Sequence, residues 1–297
     1  MLTIACVPKA FTAPSISIIQ DNAIMSWLHL HPQPELILFG NGEGVRERSV
    51  QWGVRHVPDI AQNEFQTPLL HDIFAKAQQL ATFDLLAYVN ADIILTQDFM
   101  ESVTEAANRF RRFLLIGRRR DLRLETRLAF DDPAWADRLR REVLTTGKLG
   151  GVMAMDYFVF SRGLYDELPP FAIGRSSWDN WLVWKATTLR VPIIDATKTV
   201  VAVHQEHDYL HVAGSRGTFI GPEAERNRAL AAGRSCTCFD ATYLTTPAGM
   251  TRAWPVLRNG WRWLSDLLRY QLGRLRHRLG FRRSTLTRVL GWARRSL

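Results

Sequence analysis

The chain has 297 residues, 46% of them apolar and 23% charged. That composition excludes a disordered chain as the default and leaves ample length for a buried core. The formal net charge is +9, but twelve Arg, no Lys and one acid, Asp266, place a balance of +11 on residues 251–297. The 26 bases and 28 acids of the preceding 250 residues nearly cancel, so the basic character belongs to the tail and gives no reason to read the body as a nucleic-acid binder.

Cys6, Cys236 and Cys238 are the three cysteines. An odd number with a Cys-x-Cys pair forms neither a disulfide framework nor a zinc signature, and a reducing cytoplasm fits. Residues 2–7 enter an apolar, strand-like run at once, without the charged and long apolar regions of a signal peptide. No run reaches the roughly 18 apolar residues of a membrane span. The expected location is therefore cytoplasmic, peripheral on a membrane if the tail binds one.

In chain order, strand-like runs at 2–7, 36–39, 54–57, 85–89 and 113–116 alternate with helical patterns at 15–30, 68–81 and 97–110. Leu69, Leu70, Ile73, Phe74 and Ala77 share one helical face, and Gly40-Asn-Gly-Glu-Gly44 is a glycine-rich turn. Residues 118–150 are charge-dense, with a helix near 133–144. A strand at 153–160, a helix at 178–189 and strands at 191–194 and 199–203 follow, and then a His-rich polar loop. Alternating strands and helices predict an α/β fold with a mostly parallel sheet flanked by helices. Ligands in such folds sit at the carboxyl ends of the strands. The expected organisation is a catalytic domain over 1–212, an irregular segment over 213–250 that packs on or covers the active site, and an amphipathic tail over 251–297.

Four motifs carry chemistry. The strand 85–89 runs into Asn90-Ala91-Asp92, where a carboxylate can hold a hard cation beside phosphate; a capped turn is the alternative. His204, His207 and His211 follow a strand with two acids between them, and His204 and His207 are candidate metal ligands. In Gly174-Arg-Ser-Ser-Trp-Asp-Asn-Trp181, Ser176 or Ser177 can cap a helix whose first turn holds Asp179, a candidate general base. Trp178 and Trp181 read as core residues there, with sugar stacking as the alternative. Asp156 interrupts an apolar strand and needs a partner, either a ligand or an Arg, because an unpaired buried carboxylate costs several kcal/mol.

The order of these motifs resembles the GT-A-fold nucleotide-diphospho-sugar glycosyltransferases, in a glycosyltransferase family 2-like or exostosin-like branch, over residues 1–212. The resemblance implies a GT-A, Rossmann-like sheet. Asp92 would be the last acid of the metal motif and His204 a late ligand to Mn²⁺ or Mg²⁺. Asn90 stands where the first acid usually lies and would contact ribose or sugar. Asp179 would meet the acceptor hydroxyl, with Asp156 as a second catalytic carboxylate. Val7, Pro8, Phe11 and Asn22 would line the nucleotide pocket, residues 63–67, Thr67 among them, would touch base or ribose, and Arg175 would support the diphosphate charge.

The implied activity moves a sugar from a nucleotide-diphosphate donor to a hydroxyl acceptor, either a glycan or lipid-linked. A catalytically degenerate sugar-nucleotide-binding scaffold is the alternative. A nucleotidyltransferase on a related fold is disfavoured, because Pro8-Lys-Ala-Phe-Thr-Ala-Pro14 has no glycine. In the tail, Leu257, Trp261, Leu264, Leu268, Leu272, Leu275 and Leu279 recur at helical spacing, beside Arg262, Arg269, Arg276 and Arg283. That pattern suits a helix lying on an anionic membrane through residues 252–297. Packing on the body is the alternative, and nucleic acid ranks lower for want of a recognisable module.

Overall fold

The computed structural model describes residues 1–206 and 216–253. His207 and His211 of the polar loop, and the amphipathic stripe of the tail from Trp254 onward, lie outside the described residues. Among those described, no helix is long and apolar enough to cross a membrane.

The first half alternates strand and helix as expected: β1 (Thr3–Cys6), α1 (Pro14–Leu28), β2 (Glu35–Phe39), α2 (Val45–Trp52), β3 (Arg55–Val57), α3 (Leu70–Leu80), β4 (Leu85–Val89), β5 (Ile93–Ile94), α4 (Gln97–Arg109) and β6 (Leu114–Arg118). Then come β7 (Arg120–Leu122), α5 (Trp135–Thr145), β8 (Lys148–Leu149), β9 (Met155–Ser161), α6 (Trp178–Thr188), β10 (Ile193–Asp195) and β11 (Val203–Gln205). The last elements are α7 (Arg216–Phe219), α8 (Pro222–Ala231), β12 (Tyr243–Leu244) and β13 (Thr251–Arg252).

Nine strands form one sheet in the order β13-β12-β10-β6-β9-β4-β1-β2-β3. β1 pairs in parallel with β2 and β4, β2 with β3, and β10 with β6 and β12. β9 runs antiparallel between β4 and β6, and β13 runs antiparallel to β12. The sheet is therefore mixed and mostly parallel. Its central strands are largely apolar because both faces are covered. Residues of β4 alternate accordingly: Leu86 and Tyr88 join the core under α3 and α6, while Ala87 and Val89 join the core under α1 and α4. Phe74 and Phe160 stack at 5.1 Å in the first of these cores, and Phe99 meets Tyr157 edge-on at 5.7 Å in the second.

A small second sheet, β5-β11-β7-β8, packs on α5 through Ile94, Leu122, Trp135, Leu139, Val143 and Val203. The segment expected to be irregular, 213–250, instead holds the ten-residue helix α8 and the strand β12, which extends the main sheet. The short apolar pair Tyr243–Leu244 gave no periodic signal, and sheet pairing decides its state. One compact unit runs from Met1 to Ala253.

Gly117 lies in β6, where an added Cβ would fall 1.9 Å from Oη of the buried Tyr157. Gly117→Ala should cost about 1–3 kcal/mol through overpacking. Urea denaturation reads this as a lowered midpoint, and an unchanged midpoint would contradict the packing described.

Candidate functional site

The antiparallel β9 gives the site its geometry. It begins at the edge where the flanking strands β4 and β6 end. Asp156, its second residue, therefore stands beside Asn90 just past β4 and Arg119 just past β6. Backbone bonds fix the junction: Asn90 N–H donates to the Asp156 carbonyl at 3.0 Å, and Arg119 N–H to the Ala154 carbonyl at 3.0 Å. Asn90 Nδ2 then donates to Asp156 Oδ1 at 2.7 Å, and Arg119 Nη1 to Asp156 Oδ2 at 2.7 Å. Burial demanded a partner for Asp156, and that partner is Arg119, with Asn90 as a second donor.

Arg119 Nε also donates to Asp121 Oδ1 at 2.8 Å. In the small sheet, the register sets His204 of β11 opposite Asp121 of β7 and Ile93 of β5. His204 Nδ1 meets Asp121 Oδ1 at 3.0 Å, and Nε2 stands 3.5 Å from Asp92 Oδ2. Burial opposes charging the imidazole, yet Asp92 and Asp121 hold its pKa up to about 9. The imidazole in turn keeps Asp121 below the usual carboxylate range. A proton on His204 thus occupies the position that a cation would compete for.

Asn90, Asp92, Arg119, Asp156 and His204 line a cleft of about 1390 Å³ along the carboxyl ends of β1, β2 and β4, with Asp121 outside the lining. Eight of the ten expected site residues face it: Pro8, Thr67, Asn90, Asp92, Asp156, Arg175, Asp179 and His204. Val7 faces it as well. Phe11 and Asn22 do not, and both expectations are corrected. Phe11 packs edge-on against Trp52 at 6.0 Å with the Arg48 guanidinium near its face. Asn22 is buried and braces the chain behind His204: its Nδ2 donates to Gln205 Oε1 and the Thr126 carbonyl, and its Oδ1 accepts from Leu128 N–H. Gln20, unflagged by the sequence, clamps the loop after β1 by accepting from Lys9 N–H at 2.6 Å and donating to the Lys9 carbonyl at 3.0 Å.

Arg175 faces the cleft but is ion-paired to Glu223 of α8, donating through Nε at 2.9 Å and Nη2 at 2.5 Å. Asn63 Nδ2 donates to the same carboxylate at 2.6 Å. Although burial opposes it, hydrogen bonds from Thr67, Asn63 and Arg175 keep Glu223 below its ordinary pKa. Arg175 is thereby neutralised, and the expectation that its charge serves a diphosphate is weakened. Asn63 also closes its own turn, with Oδ1 accepting from Phe65 and Thr67 N–H.

Asp179 opens α6. No serine side chain caps this helix, contrary to expectation. Ser177 stands at the N-cap with φ +86°, a left-handed conformation disfavoured for a residue with a Cβ, and such strain is retained mainly at functional sites. Asp179 Oδ1 accepts Asn180 N–H at 2.9 Å instead. Lost hydration, with the Asp156 charge adding, pushes the Asp179 pKa up to about 7. Trp178 packs on Tyr88 and Phe158, and Trp181 on Phe171, as core residues.

The donor set fits a divalent ion. His204 turns one ring nitrogen to the Asp121 carboxylate and the other toward Asp92, the orientation that metal-bound imidazoles take. Among the described residues no group of three or more His, Cys, Asp or Glu is gathered to hold an ion by itself. A bound diphosphate would complete the shell.

No protein-family model matches this chain, and no curated protein matches it. Solved structures do resemble it. S. aureus TarS residues 1–349, in complex with UDP-GlcNAc, is 11% identical with a TM-score of 0.45, over 71% of this chain and 61% of that one. This chain therefore spans less than two thirds of that TarS fragment. Glucosyl-3-phosphoglycerate synthase from Mycobacterium tuberculosis, with Mn²⁺, UDP and glucosyl-3-phosphoglycerate, is 13% identical with a TM-score of 0.44, over 79% of this chain and 80% of that one. The same enzyme with Mg²⁺ and UDP is 15% identical with a TM-score of 0.45, over 86% and 87%.

Two outcomes follow. Asn90→Asp removes a donor from Asp156 and sets two carboxylates together, so it should weaken the folded state and leave divalent-ion binding no tighter; calorimetric titration with Mn²⁺ showing tighter binding would contradict this. Asp179 titrates near 3.8 unfolded and near 7 folded, so across that range the folded chain holds a proton the unfolded chain releases. Its contribution to stability is therefore present at low pH and lost as pH rises through about 7. Asp179→Asn should gain stability over the parent on going from about pH 5 to about pH 8, read by urea unfolding. Parallel pH profiles would contradict the shift.

Proposed function

We propose that the protein is a glycosyltransferase of GT-A type that moves a sugar from a nucleotide-diphosphate donor to a hydroxyl acceptor. One observation carries the reading: Asp92, His204, Asp156 and Asp179 converge on a single large cleft at the carboxyl ends of a mostly parallel sheet. Such clefts bind nucleotides.

In this reading the loop after β1, with Val7 and Pro8, and the turn holding Gln66 and Thr67 take the nucleotide. Asp92 and His204 hold Mn²⁺ or Mg²⁺, with Asp121 orienting the imidazole. When bound, the ion stabilises negative charge on the departing diphosphate. Lys9, exposed in the cleft and without an ion-pair partner among the described residues, supplies a side-chain cation in the donor half. Asp179 accepts the proton of the acceptor hydroxyl. A pKa near 7 suits a general base at neutral pH. Asn90 and Arg119 hold the Asp156 carboxylate in place through hydrogen bonds to its two oxygens. Asn90 thus has a part to play as a donor, which favours an active enzyme over a degenerate scaffold. The tail over residues 252–297 would bring the enzyme to an anionic membrane surface, in keeping with a lipid-linked or polymeric acceptor.

The test is a thermal-shift screen of the full chain against UDP, GDP, CMP and dTDP sugars with and without Mn²⁺, followed by an assay of donor cleavage. One nucleotide class should stabilise the chain, and Asp92→Ala and Asp179→Asn should each lower turnover by about 10²–10⁴-fold. A folded chain that binds no nucleotide, or variants that keep full activity, would overturn the reading.

A further inference from the structure

The basic groups of the cleft divide by whether a carboxylate answers them. Lys9, Arg119, Arg175, Arg228 and Arg234 all line it. Arg119 is paired with Asp156 and Asp121, and Arg175 with Glu223. Arg228 and Arg234 have no carboxylate partner among the described residues. Both are exposed, and both stand on the wall formed by α8 and the turn after it, away from the donor half that holds Lys9.

Both arginines lie within seven residues of chain and line the same cleft. Arg228 lies in the last turn of α8, which ends at Ala232 with φ +49°, followed by Gly233 at φ +73°. Two consecutive left-handed residues, the first carrying a Cβ, reverse the chain and return Arg234 to the same wall. Each guanidinium has an anchoring contact. Arg228 Nη1 donates to the Phe219 carbonyl at 2.7 Å, and Arg234 lies over the Trp184 ring at 5.0 Å. Neither contact neutralises the charge, and a guanidinium has five N–H donors. Two anchored guanidinium groups without a carboxylate partner among the described residues line one cleft, and each can donate to a planar or tetrahedral anion. Arg226, on the same helix, points to a different use: it pairs with Glu64 and does not line the cleft.

We infer that the acceptor half of the cleft recognises an anionic group, a phosphate or a carboxylate, through Arg228 and Arg234. The acceptor would then carry negative charge near the hydroxyl that is glycosylated, with Ser176 and Ser235 on the adjoining wall as further hydrogen-bonding groups. This inference rests on the glycosyltransferase reading of the same cleft, and it adds the class of acceptor.

Inorganic phosphate is the first probe, titrated into the full chain after the nucleotide that stabilises it has saturated the donor half. Phosphate should raise the melting temperature further. In the Arg228→Ala/Arg234→Ala variant the half-saturating phosphate concentration should rise at least about tenfold, since a hydrogen bond to a charged group contributes about 1.5–3 kcal/mol. Arg226→Ala, which alters only the Glu64 pair, should titrate like the parent. The second arm measures co-sedimentation with phosphatidylcholine vesicles with and without phosphatidic acid. A loss in the double variant of the part that needs phosphatidic acid, with no response to free phosphate, would support the inference and assign the anion to a lipid headgroup. Equal phosphate and vesicle binding by parent and double variant would overturn it. A chain that binds no nucleotide at all marks failure of the donor reading, and phosphate titrated alone still reads the two arginines.

Discussion

The structure depends on the hydrogen-bonded chain that runs from Asn90 through Asp156, Arg119 and Asp121 to His204 and Asp92. Its members come from five separate places: the ends of β4 and β6, the start of β9, and the middles of β7 and β11. Each link lies between 2.7 and 3.0 Å, apart from the 3.5 Å approach of His204 to Asp92. Arg119 is the hinge of this arrangement. A half-buried cation pairs with both carboxylates and fixes the spacing of two strand ends. Removing it would leave Asp156 in the cleft without its counter-charge and Asp121 with His204 alone, a loss far larger than that of an exposed ion pair.

That constraint divides the cleft into two halves. On one side stand the parallel strands β1, β2 and β4 with the clamped loop after β1, and on the other α6, α8 and their connections. Glu223 joins the two by holding Arg175, Asn63 and Thr67 on one carboxylate. The helix that carries Glu223 also carries Arg228, so in the proposed reading one element braces the donor side and supplies charge to the acceptor side. Asp179 and the strained Ser177 lie at the junction, where a nucleophile and a leaving group would meet.

Much of the fold was legible because it rests on local patterns. The alternation of apolar strands with helical stripes at Leu70, Ile73 and Phe74, and the strand ending at Asn90-Ala91-Asp92, are readable within a dozen residues. The direction of β9 was not, since its apolar run over 157–160 fits either orientation. The same fact hid Arg119 and Asp121, which look like members of a charged surface stretch until sheet pairing sets them beside Asp156 and His204. Asn22 was legible as a polar residue on a buried helix face but not as a brace, because its partners lie more than a hundred positions away. Arg175 shows the limit most plainly: the resemblance implied a charge supporting the diphosphate, and only the fold brings Glu223 to it.

The most direct measurement is a crystal structure of the full chain with Mn²⁺ and the nucleoside diphosphate that it binds, taken from UDP, GDP, CDP and dTDP. The account predicts the nucleotide along the carboxyl ends of β1 and β4, its diphosphate against Asp92 and His204, and Asp179 open to the acceptor side. A nucleotide bound elsewhere, or a diphosphate seated away from Asp92 with the polar chain undisturbed, would contradict it.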